Sequence, residues 1–425
     1  MKKKILALVL VIALVASLAV ALVACNPDEG NNNTVVSFKP IAKENIKFGL
    51  IALHDENSTY DANFINAARN AIKACGLNDN QLIIKTGIDE NSECYEAAIE
   101  LVDQGCNVIF ADSFGHEQYV LQAAKENPNV RFAHATGTMA HTELLPNFYN
   151  AFASIYEGRY LAGVAAGMKL LEMKPSASSY KMGYVGAYTY AEVVSGYTSF
   201  YLGAKSVIEA AGKNVTMDVT FTGSWYDEAA EKEAANALIN GGAELISQHA
   251  DSMGAPTACE EYYTKNGVLI PNVTYNISTK EDCPHTYLTG SRVNWEPYFE
   301  YLINCAINGV TAVGFDYVGH LGADIFAGGS VEVLEIGNAA AADTKEKLEE
   351  IAAKLSSGEL NVFDTANFKV AGKTLSEYLA DVDTDAKYEK DTQVVLNGVF
   401  LESAYRSAPY FDLQIDGITL LNQKF

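Results

Sequence analysis

Two similar stretches indicate the fold: LVDQGCNVIFADSFG at Leu101–Gly115, and LINGGAELISQHADSMG at Leu238–Gly254. The two stretches share an apolar pair, a glycine, an apolar run and then Asp-Ser-x-Gly, with a two-residue insertion around Gln248 and His249. A period of roughly 135 residues is far longer than the units of solenoid proteins. We therefore expect two lobes of similar architecture.

Each half of this repeat alternates continuous apolar runs with amphipathic stretches. The apolar runs predict buried strands at 46–53, 82–85, 107–111, 130–135 and 181–187, and the 3.6-residue period predicts helices at 64–75, 92–105, 116–126 and a long one ending at 211. Gly76 and Gly212 are expected to end two of the helices. Buried strands alternating with helices are typical of parallel sheets covered on both faces. The predicted fold class is α/β, with two doubly wound parallel-sheet lobes.

The amino terminus has the pattern of a lipoprotein signal. Met1 is followed by three lysines, an apolar run over 5–23 and the tetrapeptide Leu22-Val23-Ala24-Cys25. These features are typical of a secretory signal with its processing site, and a lipid on Cys25 would hold the mature chain at the membrane. We predict a signal peptide at 1–24, a lipidated Cys25 with a flexible tether at 25–45, and an extracytoplasmic, lipid-anchored protein. An uncleaved signal-anchor helix is the alternative.

The formal charge of −23 restricts the partners of the protein. Such a charge repels phosphate backbones, so nucleic acid is excluded and a neutral or cationic small solute is favoured. The seven histidines lack the paired spacing of a zinc site. Asp381, Asp383 and Asp385 begin like a calcium loop that lacks its glycine and its final glutamate. We expect no metal and no cofactor.

Six cysteines follow Cys25 in the sequence, at positions 75, 94, 106, 259, 283 and 305. An exported protein could pair them, because disulfides form outside the cytoplasm. A chain of this size has enough core to do without such bonds. We favour buried free thiols over a disulfide framework.

Polar and aromatic residues cluster where the predicted strands end. In open parallel sheets, ligands bind beyond the carboxyl ends of the strands. These ends carry Ser58, Thr59, Tyr60, Asp61, Asp112, Ser113 and Phe114 in the first lobe, and Tyr188, Tyr190, Glu192, Trp225, Tyr226, Asp227, His249, Asp251 and Ser252 in the second. Such a lining suits a flat heterocycle that stacks on rings and donates hydrogen bonds to carboxylates.

Most of these residues also have a structural alternative. Either tryptophan, at 225 or 295, could pack in a core or a hinge, and Tyr60 could be a hydrophobic staple at a helix entry. The aspartates could cap helix N-termini, and capping is the favoured role for Asp112 and Asp251. His249 fits an inner, hydrogen-bonded histidine as well as a ligand contact.

A hydrolase is the alternative from another functional class. Ala111–Gly115 lies between a predicted strand and helix and resembles a nucleophile elbow, which would use Ser113 with His249 or a later histidine as base. The same loop recurs at Asp251–Gly254. A loop that occurs in both lobes is better explained by duplicated architecture than by catalysis. We therefore expect that the protein is not an enzyme.

Six segments together resemble the basic membrane lipoprotein family, which comprises solute-binding lipoproteins of ABC importers, some of them specific for purine nucleosides or bases. They are Ser58–Asp61, Phe114–Glu117, Ile155–Tyr160, Gly223–Asp227, Gln248–Ser252 and Asn294–Tyr298. The likeness spans about Ile46 to Gly309. It implies a type I periplasmic-binding fold, a monomer that closes around a small-molecule solute, and an ABC permease as partner. Another small solute, or a sensory receptor subunit on the same fold, is the alternative.

The resemblance also implies domain bounds and site residues. Residues 46–148 with 276–316 form one lobe, and 149–275 with 317–425 form the other, joined by a three-segment hinge. The tail at 362–421 resembles a subgroup extension without a binding role. The family's ring-stacking positions match Tyr60 and Trp225, and Asp61 stands where nucleoside binders often carry asparagine. With the strand-end residues, the expected ligand contacts are Thr59, Tyr60, Asp61, Ser113, Phe114, Tyr190, Trp225, Asp227, His249, Asp251, Asn276 and Trp295.

Overall fold

The computed structural model describes residues 38–382, 387 and 389–422. Cys25, the signal at 1–24 and two aspartates of the calcium-like loop, Asp383 and Asp385, lie outside the described residues. The helices of the described part are α1 Thr59–Ala74, α2 Ser92–Asp103, α3 Glu117–Glu126, α4 Ala140–Glu143, α5 Ile155–Met173, α6 Ala191–Ala210, α7 Glu228–Asn240, α8 Gly254–Asn266, α9 Glu296–Asn308 and α10 Thr344–Ser356.

The main strands form two large sheets, and four two-residue strands form two small hairpin-like pairs. The strands are β1 Phe48–Ile51, β2 Leu82–Lys85, β3 Val108–Ala111, β4 Arg131–Ala135, β5 Phe148–Ala153, β6 Ser179–Gly186, β7 Asn214–Phe221, β8 Ile246–His249, β9 Asn272–Tyr275, β10 Tyr287–Val293, β11 Asp316–Gly319, β12 Val331–Val333, β13 Leu379–Ala380, β14 Thr392–Gln393, β15 Val395–Leu396, β16 Val399–Phe400 and β17 Ile418–Leu420.

The two large sheets repeat one topology. Their strand orders are β11-β5-β4-β3-β1-β2 and β12-β10-β9-β8-β6-β7-β17. In the first sheet β1 pairs in parallel with β2 and β3, and in the second β6 pairs in parallel with β7 and β8. The loops that begin at Asp112 and Asp251 therefore follow equivalent strands. The α/β class with two doubly wound lobes is confirmed.

Helix ends repeat along with the strands. Gly76 and Gly212 follow the helices after β1 and β6, with φ of +69° and +73°, and Gly105 and Gly242 follow the helices after β2 and β7, with φ of +84° and +92°. A left-handed residue just after a helix satisfies the last carbonyls, and glycine adopts this conformation without a Cβ clash. The duplicated glycines of the sequence thus end duplicated helices.

Three segments cross between the lobes, and all three cross later than the sequence predicts. β5 stays in the first sheet, so the first crossing lies at Ser154 rather than at 149. β10 joins the second sheet, although 276–316 is predicted for the first lobe, so the second crossing lies at 294–295. β11 pairs with β5, so the third follows Gly319. The crossings lie later because each lobe has a fifth parallel strand, β5 in the first and β10 in the second. These strands lie beyond the part of the sequence in which the repeat is visible. We call 38–153 with 296–319 the first lobe, and the described residues of 154–293 and 320–422 the second.

Helices α5 and α6 approach each other at backbone distance in the second lobe. A Cβ on Gly163 would lie 2.0 Å from the carbonyl oxygen of Phe200, and a Cβ on Gly203 would lie 2.0 Å from that of Tyr160. Because real Cβ atoms do not come so close, only glycine fits at either position. This contact fixes the middle of α6 against α5.

The carboxyl-terminal segment completes the second lobe. β17 pairs in parallel with β7 at the edge of the sheet, and Phe363, Phe400 and Phe411 are buried in the same core as the residues of α5 and α6. Aromatic side chains contribute large apolar areas to a core. This segment is therefore part of the lobe rather than an appended domain.

All six cysteines of the described part are buried, and none is paired. Burial raises the pKa of the Cys106 thiol to about 11 and that of Cys283 to about 12, which keeps both protonated. Within the described ranges, no helix has the length and apolar character needed to cross a bilayer. Nor does that part of the chain contain a group of three or more His, Cys, Asp or Glu side chains that could hold a metal ion.

Candidate functional site

A cavity of about 340 Å³ lies between the lobes, at the carboxyl ends of the central strands. Its lining comprises Leu53, Tyr60, Asp61, Ser113, Phe114 and Thr136 from the first lobe, and Glu192, Trp225, His249 and Asp251 from the second. This volume includes space that is open to solvent. In parallel α/β sheets, ligands bind at this position.

Asp61 supplies a charged oxygen to the first-lobe wall. Its carboxylate accepts hydrogen bonds from the backbone N–H of His54 at 2.7 Å and from the Ser58 hydroxyl at 2.6 Å. Although burial alone would raise the pKa of Asp61, hydrogen bonds from His54 and Ser58 lower it. Asp61 is therefore a carboxylate at neutral pH, and it accepts hydrogen bonds.

Asp112 lies behind this wall with a different protonation state. Burial, reinforced by the negative charge of Asp61, raises its pKa well above the ordinary range. Its Oδ1 accepts from the backbone N–H of Leu53 at 3.2 Å, and its carbonyl oxygen accepts from the Tyr60 hydroxyl at 2.8 Å. The expected helix cap is therefore wrong for Asp112. Instead, its backbone holds the Tyr60 ring against the cavity.

Ser113 is braced by a glutamate rather than by a catalytic base. Its hydroxyl donates to Glu90 Oε1 at 2.6 Å, and the same oxygen accepts from the Gly115 backbone N–H at 2.7 Å. The His134 ring contacts the Ser113 carbonyl oxygen, at 2.6 Å, rather than its hydroxyl. In the second lobe the carboxylate of Glu231 accepts from the Ser252 N–H in the equivalent loop. Duplicated loops are thus held by carboxylates in both lobes.

An aromatic cluster forms the second-lobe wall. The Tyr188 ring lies edge-on to Trp225 with centroids 5.0 Å apart and stacks on Tyr190 at 5.2 Å. Phe114 of the first lobe meets Tyr190 across the cleft at 5.3 Å. Rings that converge in this way offer flat faces to a planar ligand.

His249 and Glu192 form a polar pair deeper in the same wall. Nε2 of His249 lies 3.4 Å from Glu192 Oε1. Its other face packs on α6, where a Cβ at Gly196 would lie 2.8 Å from Nδ1. Burial lowers the pKa of His249, so the ring is neutral and its position is fixed.

Asp251 closes the cavity and joins the lobes. Its backbone carbonyl accepts from the Thr59 N–H at 2.8 Å, which links the loop after β8 to the first turn of α1. Burial raises the pKa of its carboxyl well above the ordinary range, and the negative charges of Asp61 and Glu231 add to the effect. The cavity therefore pairs a charged acceptor, Asp61, with a protonated carboxyl, Asp251, that is able to donate.

The structure places five expected contact residues outside this lining. Trp295 is buried in the first-lobe core, stacked on Phe64 at 4.5 Å, because it begins α9 on the inner side of the second crossing. Asp227 caps α7 through a 2.9 Å bond from Ala230 N–H. Of the remaining three, Thr59 is buried, Asn276 follows β9 with φ of +70°, and Tyr190 lines a neighbouring hollow together with Phe114.

Three lining residues were not among the expected contacts. Glu192 is one of the strand-end residues noted in the sequence. The glycines of the helix that follows it could have indicated that Glu192 lies deep in the cleft. Leu53 ends the apolar run of β1 and gives no signal of its own. Thr136 adopts φ of +62°, which is rare for a β-branched residue and cannot be read from its neighbours in the sequence.

Residues 48–320 match the sequence model of the Bmp family, described as ABC transporter substrate-binding protein PnrA-like. The chain is 29% identical over 326 residues to a purine-binding protein of Brucella abortus (strain 2308), covering 76% of this chain and 84% of that relative. It is 27% identical over 263 residues to the nucleoside-binding protein BmpA of Lactococcus lactis subsp. cremoris, covering 60% and 67%.

The fold is similar to that of a solved ABC transporter solute-binding protein from Aeropyrum pernix K1. The TM-score is 0.62 at 15% sequence identity, and the likeness covers 78% of this chain and 94% of that one. At this identity the likeness concerns architecture alone, and it agrees with a type I periplasmic-binding fold.

Proposed function

Since the chain belongs to the family of PnrA-like ABC transporter substrate-binding proteins, we propose that it binds a purine nucleoside or purine base in the cleft between its lobes. Proteins of this family are not enzymes: they bind a small-molecule solute outside the cytoplasm and pass it to a membrane permease. The similarity to purine-binding and nucleoside-binding relatives supports the ligand class.

The observation that carries the proposal is the pairing of rings with carboxyl groups in one cavity. Trp225 and Phe114 provide flat apolar surface, while Asp61, Glu192 and Asp251 provide polar atoms. A purine has two apolar faces and an edge with both donors and acceptors, so it fits the rings and the two protonation states of the carboxyl groups. Ribose hydroxyls would donate to the remaining carboxylate oxygens.

The same lining disfavours nucleotides. It carries three carboxyl groups, and among the described residues that form it there is no lysine or arginine. Arg159 is nearby but buried, with its guanidinium over the Tyr275 ring at 3.5 Å and bonded to the Gln248 carbonyl. A phosphate would meet repulsion without a paired cation. We therefore propose a neutral or cationic purine compound.

Closure around the solute follows from contacts on both sides of the cleft. Thr59 and Asp251, as well as Phe114 and Tyr190, already bring the lobes together. A solute that touches both walls favours this closed form over an open one by the free energy of its additional contacts.

A thermal-shift panel tests the ligand class. Purine bases and nucleosides should each be compared with sugars, amino acids and the matching nucleoside monophosphates. At 100 times its dissociation constant a ligand adds about 2.7 kcal/mol to the free energy of unfolding, so a purine compound should raise the melting temperature clearly while its monophosphate does not. Stabilisation by a sugar or an amino acid, with none by purines, would contradict the proposal.

Attachment to the membrane through Cys25 is a further part of the proposal, supported by the three lysines after Met1, the apolar run over 5–23 and the Leu22–Cys25 motif. Cells given labelled palmitate should incorporate it into the protein, and Cys25→Ser should abolish incorporation. Equal labelling of the parent protein and Cys25→Ser would contradict the proposed lipid anchor.

A further inference from the structure

Outside the family match, residues 402–411 form a loop that is closed on itself. The Glu402 carbonyl accepts from the Tyr410 N–H at 3.3 Å, and the Tyr410 hydroxyl accepts from the Ala404 N–H at 3.1 Å. The Arg406 guanidinium donates to the Ala408 carbonyl inside the loop and to the Asp381 carbonyl outside it. Because these bonds close the loop, the segment is compact rather than an extended tail. We call residues 402–411 the strap.

Both ends of the strap are fixed in the second lobe. Glu402 is buried, and its Oε1 accepts from the Ser195 hydroxyl on α6 at 2.5 Å. Phe411 is fully buried and stacks on Phe363 at 4.5 Å. These contacts belong to the core of the second lobe, so the strap moves with that lobe during any hinge rotation.

The tip of the strap is bonded to the first lobe. Oδ1 of Asp316, on the edge strand β11, accepts both the Ser407 backbone N–H at 2.7 Å and the Ser407 hydroxyl at 2.6 Å. The other oxygen of Asp316 lies 3.2 Å from Nδ1 of His141, also in the first lobe. Ser407 is fully buried at this contact. Two short hydrogen bonds to one carboxylate therefore span the lobes at a point outside the three crossing segments.

The strap also borders the mouth of the cleft. Arg406, Ala408 and Pro409 line a hollow together with Phe114 and Thr136 of the first lobe and Tyr190 of the second. Phe114 and Thr136 also line the solute cavity. A displacement of the strap from Asp316 would thus open the structure beside the site itself.

We infer that Ser407 and Asp316 are positioning residues for solute binding: they hold the strap against the first lobe and favour the closed form before a solute arrives. A protein whose binding-competent form is more populated binds with higher apparent affinity. Residues that touch no solute would then set part of the affinity.

Small-angle scattering of the ligand-free protein tests the inference without any assumption about the solute. Ser407→Ala removes one of the two bonds and Asp316→Ala removes both. Each should shift the ligand-free ensemble toward the open form, with a larger radius of gyration, and Asp316→Ala should do so more strongly. Ser407→Thr, which keeps a hydroxyl, should behave like the parent protein.

Ser278→Ala is the matched control, because Ser278 also donates to a carboxylate, that of Glu335 at 3.0 Å, but within the second lobe. It should leave the scattering unchanged. If adenosine is the probe in calorimetry, Ser407→Ala should weaken binding by about 3- to 10-fold through the lost bond to a carboxylate. If the parent protein, Ser407→Ala and Asp316→Ala all melt cooperatively and give identical scattering, the inferred role of the strap in favouring the closed form is wrong. Absence of adenosine binding alone would count only against the purine proposal.

Discussion

Trp225→Ala should weaken purine binding by about 1 to 3 kcal/mol, or roughly 5- to 150-fold in the dissociation constant, because stacking of a base on an aromatic ring is worth that much. Trp225 lines the cavity from the second lobe, and its ring is supported edge-on by Tyr188. Its removal leaves the carboxyl groups in place but takes away one flat wall. Isothermal titration with the strongest purine of the panel measures the effect.

The other tryptophan of the chain provides the control. Trp295 is stacked on Phe64 in the first-lobe core and does not line the cavity. Trp295→Phe should therefore lower the melting temperature, since a smaller ring leaves a void, with little change in affinity. It also leaves Trp225 as the single indole, whose fluorescence should respond to the ligand. Equal affinities of Trp225→Ala and the parent protein for the purine would contradict the proposed stacking on Trp225.

Glu402→Gln should change how the stability of the protein depends on pH. Burial raises the pKa of Glu402 from 4.5 to about 7. A carboxyl group whose pKa is higher in the folded state binds extra protons there, so its contribution to stability is present below pH 4.5 and is lost as the pH rises through 7. Relative to Glu402→Gln, the parent protein should lose about 2 to 3 kcal/mol of unfolding free energy between about pH 5 and pH 8. Urea denaturation at the two pH values measures this difference.

Glu350→Gln makes the same substitution at a site that titrates elsewhere. Hydrogen bonds from Lys347 and Lys354 lower the pKa of Glu350 to about 2. Its titration is therefore complete below pH 5, and this variant should keep the pH slope of the parent protein. Parallel pH profiles for the parent and Glu402→Gln would show that Glu402 is ionised at neutral pH and would contradict the assignment.

The lobes could be predicted from the sequence because their signals are local and duplicated. A buried parallel strand is a continuous apolar run, and the glycines at 76, 105, 212 and 242 mark helix ends in both halves. The crossings were misplaced because the assignment of β10 to one sheet or the other depends on pairing with β9, which is a long-range contact. No short sequence pattern encodes that choice.

Part of the cleft could be predicted for the same reason. Tyr60, Asp61, Ser113, Phe114, Trp225, His249 and Asp251 follow strand ends, and the structure gathers them around one cavity. Trp295 was misassigned because the residues at a crossing face either the cleft or the core, and only packing against Phe64 decides between them. The Ser407–Asp316 bond joins segments about 90 positions apart, and neither residue type is unusual in its local sequence.

The central claim is that one solute is held by both lobes in the cavity between Tyr60 and Trp225. A crystal structure of the protein grown with the best purine of the panel tests it most directly. We predict the purine ring against Trp225, with its polar edge bonded to Asp61 and Asp251. A ligand bound elsewhere, or held by one lobe alone, would contradict the account.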